Sequence, residues 1–338
     1  MQYFEFLKEQ DTIGVCAPSM GCDENHKIRC DSAVKKLEKL GKKVVFTNNC
    51  FGMTKARSTD AKTRAQEFEQ LFFDDNISGI ISMAGGEFQL ETLTYINFDK
   101  IKKAKNKFFQ GFSDNTCYAF LLPTICDKAS LYAANICQFG MKKWHKSLKD
   151  NYDFLCGKHV KQISFKKHEV YYERKPGQEL NGYNLKQKTY PKIISNDNEV
   201  DVTGRIIGGN LDVLTNICGT KFDKVKEFNK KYKDDGIVWY LESCDMSIFQ
   251  QSRAIWQLKN AGWFENAKAI LIGRPNIKQE MFDCNYIECN YENLKDLNIP
   301  VVIDIDVGHV KPSWYIVNGA IANFKCKNNK AEISFELK

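Results

Sequence analysis

Histidine is scarce in this chain, with five among 338 residues. None of the thirteen cysteines forms a Cys-x-x-Cys pair, which excludes zinc-ribbon and thioredoxin-type readings. Cys284 and Cys289 lie five apart, but no histidine stands near them to complete a metal site. No apolar run approaches the ~20 residues needed to cross a bilayer. The first ten residues, Met1 to Gln10, have no basic patch followed by an apolar run, so they do not read as a secretory signal. The Gly-x-Gly-x-x-Gly and Gly-x-x-x-x-Gly-Lys spacings of nucleotide-phosphate loops are absent. There is no internal repeat and no low-complexity tract.

What is present suits a two-domain protein with a substantial core, since 43% of the residues are hydrophobic. The cysteines are scattered and odd in number. Cys16, Cys117, Cys137 and Cys218 sit inside apolar runs. They read as reduced core residues in a reducing compartment, so a cytoplasmic protein is expected. The net charge of +7 comes from 49 basic and 42 acidic residues. Runs such as Lys102-Lys103-Ala104-Lys105 are short and lack interleaved aromatics. They read as solvated surface, so neither a nucleic-acid nor a membrane partner is expected.

The first half alternates strand and helix. Strands are read at 11–17, 43–47, 77–83, 107–112 and 130–135. Helices are read at about 24–41, with Ala33, Leu37 and Leu40 on one face, and at 59–74, with Ala61, Ala65, Phe68 and Phe72 on one face. This order predicts a parallel sheet with helices on both faces, its ligands gathered at the carboxyl ends of the strands. Ser19, Gly85, Gly86 and Ser113 fall at those ends. The pattern breaks over about 160–200, a polar stretch that reads as a connection between domains. Three Ile- and Val-rich strands follow at 237–241, 269–273 and 301–305. A helix is read at 247–261 and a hairpin over 314–337 turning at Asn328-Asn329. The expected division is residues 1–160 as one α/β domain, 161–200 as the connection, and 201–338 as a mixed α/β domain.

The most informative stretch is Lys107-Phe108-Phe109-Gln110-Gly111-Phe112-Ser113-Asp114-Asn115-Thr116. It reads as strand, abrupt turn and helix. A serine at such a corner is lifted out of the sheet, with the first N–H groups of the helix aimed at whatever it attacks. Gly111 leaves room for the turn. Asn115 stands where the elbow pattern Gly-x-Ser-x-Gly has its second glycine. The stretch reads as a nucleophile for acyl transfer or as a capping serine.

A nucleophilic serine needs a base and an orienting acid. Among the histidines, His26 lies at a helix start, His145 in a lysine-rich turn, and His159 and His168 flank the polar connection. His309 directly follows the strand at 301–305, between Gly308 and Pro312, and is the candidate base. Glu242 ends the strand at 237–241 and is the candidate acid, with Asp245 read as the cap of the helix after it. Gly85-Gly86-Glu87 and Gly208-Gly209-Asn210 read either as tight turns or as backbone and carboxamide groups offered to a substrate.

In this order the motifs resemble one family. Ala17-Pro18-Ser19, Gly85-Gly86-Glu87 and Gly111-Phe112-Ser113-Asp114-Asn115-Thr116 come from the first half. Gly204-Arg205-Ile206-Ile207-Gly208-Gly209-Asn210-Leu211, Leu241-Glu242 and Gly308-His309 come from the second. Together they resemble the serine peptidases that include LD-carboxypeptidases and the microcin C immunity hydrolases. The resemblance implies a flavodoxin-like or glutamine-amidotransferase-like first domain and a mixed second domain ending in a β-hairpin.

It also implies a Ser113–His309–Glu242 triad, with the N–H groups of Gly86 and Asp114 as an oxyanion hole. Ser19, Gly85, Glu87 and Asn210 would line the substrate. The activity implied is hydrolysis of an amide beside a carboxylate or similar acidic group, without metal or cofactor, often by a homodimer. The substrate would be a peptidyl or aminoacyl nucleotide, or alternatively a murein tetrapeptide losing a D-amino acid. Immunity enzymes of this kind stack an aromatic on the nucleobase. Here the connection offers Tyr171, Tyr172, Tyr183 and Tyr190 but no tryptophan. A non-catalytic two-domain binding protein would keep the glycine turns without a triad. A cysteine hydrolase would have to use Cys117, one helical turn past the corner.

Overall fold

A computed structural model of the protein describes residues 1–170 and 175–338. Tyr171 and Tyr172 lie outside the described residues. The chain divides into two compact units, one of Met1–Val160 with Tyr171–Asn184 and one of Lys161–Val170 with Leu185–Lys338. The stretch read as a connection, 161–200, is therefore shared between them.

In the first unit, β1 (Thr12–Cys16), β2 (Lys43–Phe46), β3 (Ile77–Ser82), β4 (Phe108–Gly111) and β5 (Ser130–Tyr132) lie in the order β5-β4-β3-β1-β2. Every neighbouring pair among them is parallel. Parallel strands need both faces covered, and β1, β3 and β4 are accordingly buried almost throughout. The helix Glu24–Lys39 starts at Asp23, whose carboxylate accepts the His26 N–H, and it buries Cys30, Ala33 and Leu37. Leu40 departs from the expected stripe: the helix ends before it, and its side chain is 46% exposed.

The helix Ala61–Phe73 is capped by Asp60. Its Phe68 ring lies 5.6 Å from Phe109 on β4 and 4.4 Å from Tyr118 on the helix Thr116–Cys126. Aromatic pairs of this kind add roughly 0.5–1.5 kcal/mol each beyond area burial. They fix the strand and the helix that flank Ser113 against a common neighbour.

The second unit holds β6 (Gln162–Ile163), β7 (His168–Glu169), β8 (Leu185–Gln187), β9 (Lys192–Ile193), β10 (Val200–Asn210), β11 (Ile237–Glu242), β12 (Ala267–Gly273), β13 (Val301–Ile305), β14 (Ile316–Asn318), β15 (Ile321–Lys327) and β16 (Lys330–Glu336). A mixed sheet runs β6-β16-β15-β10-β11-β12-β13-β9. Its centre, β10 to β13, is parallel, and both flanks are antiparallel. The hairpin β15–β16 turns at Asn328 and Asn329, both at positive φ (51° and 59°). Asparagine tolerates that conformation, which matches the twist of the strands it joins.

β10 was not evident as a strand, because Gly204, Gly208 and Gly209 interrupt its apolar pattern. Gly208 is required there: a Cβ would lie 1.8 Å from the Tyr240 carbonyl oxygen on β11. The helix Ile248–Asn260 is capped by Ser247, in a reciprocal box with Gln250, and not by Asp245. Cys284 and Cys289 are joined in a disulfide, contrary to the expectation of thiols throughout. The turn at Asn285, which caps the helix Tyr286–Tyr291, brings their Cα atoms to 6.3 Å. The other eleven cysteines are free.

Candidate active site

In the first unit, the serine corner forms as the motif predicts. β4 ends at Gly111, a turn of 3₁₀ helix spans Ser113–Asn115, and the α-helix begins at Thr116. A Cβ on Gly111 would lie 2.7 Å from the Asn115 Cβ, so the corner closes only over a glycine. Ser113 has φ 68°, the left-handed region that costs a non-glycine residue of order 1–3 kcal/mol. Its N–H donates to the Tyr132 hydroxyl at 3.0 Å. Asn115, in the place of the second glycine, donates through Nδ2 to the carbonyls of Ala84 (2.8 Å) and Phe112 (3.1 Å). It ties the corner to the end of β3.

Gly85 faces the serine: a Cβ there would stand 2.9 Å from the Ser113 Cβ and 3.0 Å from its Oγ. Gly86, at φ 148°, packs against Ser19, whose Oγ would be 2.3 Å from an added Cβ. Ser19 is fully buried, and its hydroxyl donates to the Asp114 carboxylate. The same carboxylate accepts the Gln89 N–H at 2.8 Å. Burial pushes the Asp114 carboxyl above its ordinary range, opposed by the Ser19 and Gln89 hydrogen bonds and by the charge of Arg64. Glu87 is exposed. Ser19, Gly85, Gly86, Ser113 and Asp114 thus form one cluster at the carboxyl ends of β1, β3 and β4.

The second unit brings together the other candidates. Asn210 and Glu242 are opposite residues on the paired strands β10 and β11. Asn210 Nδ2 donates to Glu242 Oε1 at 2.9 Å, and Asn210 Oδ1 accepts the Val213 N–H at 3.3 Å. The other carboxylate oxygen, Oε2, is 2.9 Å from His309 Nδ1. Glu242 is fully buried, whereas the His309 side chain is 15% exposed. Two glycines wall the carboxylate: a Cβ on Gly273 would be 3.1 Å from the Glu242 Cβ, and one on Gly308 would be 2.5 Å from its Oε2. The acid thus engages the Nδ1 side of the imidazole.

The sequence did not point to Lys311. It is buried, and its Nζ donates to the Gly308 carbonyl (2.8 Å) and to Ser313 Oγ (3.1 Å), bracing the loop that carries His309. Burial lowers its amine to about 8, with Glu242 and Glu169 opposing that shift. Nor did it point to the buried Arg274–Asp306 pair (2.7 Å) behind the same loop, where Asp306 also meets His168 Nε2 at 3.3 Å. Of the remaining candidates, Cys117 is fully buried and its thiol is pushed well up by burial, which makes it a poor nucleophile. Tyr183 packs edge-on to His145 at 5.5 Å, and Tyr190 is 40% exposed. Among the described residues, no group of three His, Cys, Asp or Glu side chains is placed to hold a metal. None of the described helices is long and apolar enough to cross a membrane.

Comparison with known proteins matches residues 13–133 to the LD-carboxypeptidase N-terminal domain and residues 203–324 to the LD-carboxypeptidase C-terminal domain. The chain is 30% identical over 321 residues to the microcin C7 self-immunity protein MccF of Escherichia coli, covering 89% of this chain and 87% of that one. It is 24% identical over 348 residues to a probable murein peptide carboxypeptidase of Bacillus subtilis (97% and 92% covered). An MccF-like protein from Bacillus anthracis has the same fold, with a TM-score of 0.82 at 22% identity over the whole of both chains. So does the microcin C7 self-immunity protein in complex with aspartyl sulfamoyl adenosine, with a TM-score of 0.80 at 23% identity over 99% of this chain and 98% of that one. The matched domains are those of a peptidase. The chain belongs to the LD-carboxypeptidase family.

Proposed function

We propose that this protein is a serine hydrolase that cleaves the amide of peptidyl or aminoacyl nucleotides beside an acidic group, in the manner of an immunity enzyme. The observation that carries the reading is the buried Glu242 carboxylate, held by Asn210 on one oxygen and paired with His309 on the other. An acid in that position fixes the imidazole tautomer and stabilises the imidazolium formed when the base takes a proton. Ser113, held at positive φ on its corner, is the nucleophile.

In the proposed reaction, Ser113 Oγ attacks the scissile carbonyl while His309 Nε2 removes its proton. The carbonyl oxygen becomes an oxyanion facing the N–H groups of Gly86 and Asp114. The C–N bond then breaks, and the leaving amine takes the proton from His309. Water, deprotonated by the same imidazole, cleaves the acyl–serine ester and restores the hydroxyl. Charge stabilisation by fixed donors typically supplies ~10²–10³ in turnover per donor. The nucleotide substrate is supported by the 30% identity to the microcin C7 self-immunity protein. The likeness to a probable murein peptide carboxypeptidase supports a second substrate, a murein L,D-tetrapeptide.

The test uses purified protein with aspartyl sulfamoyl adenosine and, in parallel, a murein tetrapeptide. The expected result is faster release of aspartate than of the terminal D-amino acid, with Ser113→Ala losing turnover by orders of magnitude while still binding. Equal hydrolysis by wild type and Ser113→Ala would refute the serine mechanism. A preference for the tetrapeptide would refute the nucleotide assignment.

A further inference from the structure

Arg64 lies on the helix Ala61–Phe73, its side chain fully buried, at a place no catalytic assignment reaches. Its Nη1 donates to two backbone carbonyls, Pro18 at 3.1 Å and Phe88 at 3.0 Å. Its Nη2 donates to Glu91 Oε2 at 2.7 Å. Pro18 directly precedes Ser19, and Phe88 lies two residues after Gly86. One guanidinium therefore holds the turn after β1 and the turn after β3 together. The Asp114 carboxylate does the same through different atoms, the Ser19 hydroxyl and the Gln89 N–H. Both ties meet the turn after β3 just past Gly86, which itself packs against Ser19 and Met20.

The turn after β1 is pinned elsewhere as well. Ala17 O accepts from Asn49 Nδ2 (3.1 Å) and Ser58 Oγ (2.7 Å), and Ser19 O accepts from the Ser58 N–H (3.0 Å). The turn after β3 is tied by Met20 N–H to Gly85 O (3.1 Å), by Asn115 Nδ2 and Ser82 Oγ to Ala84 O (2.8 and 2.9 Å), and by the two bonds held by Arg64 and Asp114. Burying a guanidinium is costly unless its donors are satisfied, and a lysine has one point charge where arginine has a planar fork. The fork is what lets a single side chain bond Pro18, Phe88 and Glu91 at once.

We propose that Arg64 is a positioning residue for the hydrolysis assigned above: it fixes the turn that presents the Gly86 N–H to the oxyanion. The proposal rests on the serine-hydrolase reading. It adds a residue that touches no reacting atom and acts through the backbone at Pro18 and Phe88. Its effect falls on the transition state and not on substrate binding, because the Gly86 N–H gains its value when charge develops on the oxygen.

The experiment compares wild type, Arg64→Lys and Glu91→Gln with aspartyl sulfamoyl adenosine, each rate divided by the sites titrated with a fluorophosphonate, and Ser113→Ala, which has no serine to titrate, with its rate taken per mole of folded protein. Arg64→Lys is expected to lower kcat per titrated site about 30- to 300-fold, the order of losing one oxyanion donor, with KM within threefold. A purely structural role would lower the number of titratable sites and leave the rate per site intact, and that result overturns the proposal. If Arg64→Lys does not fold, Glu91→Gln at its part-exposed position carries the test. It is expected to lose about tenfold in kcat per site as the guanidinium loses its anchoring carboxylate, and an unchanged value overturns the proposal. A wild type whose activity survives Ser113→Ala refutes the serine reading and the role of Arg64 together. A Ser113-dependent wild type with an unaltered Arg64→Lys refutes Arg64 alone.

Discussion

Replacing Lys311 with methionine isolates the energetic cost of the loop that carries His309. The amine is buried, and its proton affinity is lowered from the ordinary lysine value of 10.5 to about 8, chiefly by desolvation. The unfolded chain therefore holds a proton on this lysine between pH 8 and 10.5 that the folded chain has released. Stability consequently rises with pH across that window. Below pH 8 the amine is charged in both states, and the full cost, about 3 kcal/mol, is present. Between pH 7 and pH 10 the free energy of unfolding of wild type should gain about 2–3 kcal/mol relative to Lys311→Met.

Glu242, Glu169, Cys244 and Arg274 act on the same amine, and they remain in both proteins, so to first order the difference reports Lys311 alone. Urea unfolding at several pH values, followed by tryptophan fluorescence, measures it. The variant should also lose activity at every pH, because the Gly308 carbonyl and Ser313 lose their donor next to His309. Parallel stability curves for the two proteins from pH 7 to 10 would refute the account, since they would mean that the lysine titrates alike in the folded and unfolded chains.

Other outcomes follow from the same geometry. Gly308→Ala places a Cβ 2.5 Å from Glu242 Oε2 at a φ of 107°; it should cost about 1–3 kcal/mol of backbone strain and abolish most turnover, read by denaturant melts and the hydrolysis assay. Glu242→Gln cannot accept from both Asn210 and His309 as a carboxylate does, so kcat should fall about 10³–10⁴-fold with the fold intact by circular dichroism. Alkylation of the denatured, unreduced protein should leave Cys284 and Cys289 unmodified and label the eleven others by mass spectrometry. Reduction should cost about 2 kcal/mol or less, the entropy of so short a loop.

The first unit was legible because its signals are local. Ser113 sits where a strand pattern meets a helix pattern, and Gly111 marks the corner between them. The helix at 61–73 is legible from Ala61, Ala65, Phe68 and Phe72, yet Arg64, on the same stripe, is not marked by them. Periodicity marks apolar residues, and a charged residue buried on such a face interrupts the pattern without showing what it bonds. Glu242 and His309 were each marked by standing at a strand end. Their pairing is expected from the family resemblance and not from the residues themselves, because 67 residues separate them and only the sheet brings them together. β10 escaped for the opposite reason: the glycines that let its backbone approach β11 remove the side chains a strand pattern depends on. Ser247 caps the helix where Asp245 is expected because both residue types serve, and the reciprocal Gln250 decides between them.

The partnership of Asn210 with Glu242 has a bearing on how this protein tolerates change. The two are rungs of one ladder, so the gap between amide and carboxylate is an interstrand spacing, common to every sheet and indifferent to whatever hangs beyond the strand ends. Segments past that edge are free to grow, shrink or change composition without disturbing it. The imidazole has no such protection. It arrives on a bend after β13, and divergence among copies of this enzyme should be felt there first, with the acid and its amide the last parts to drift.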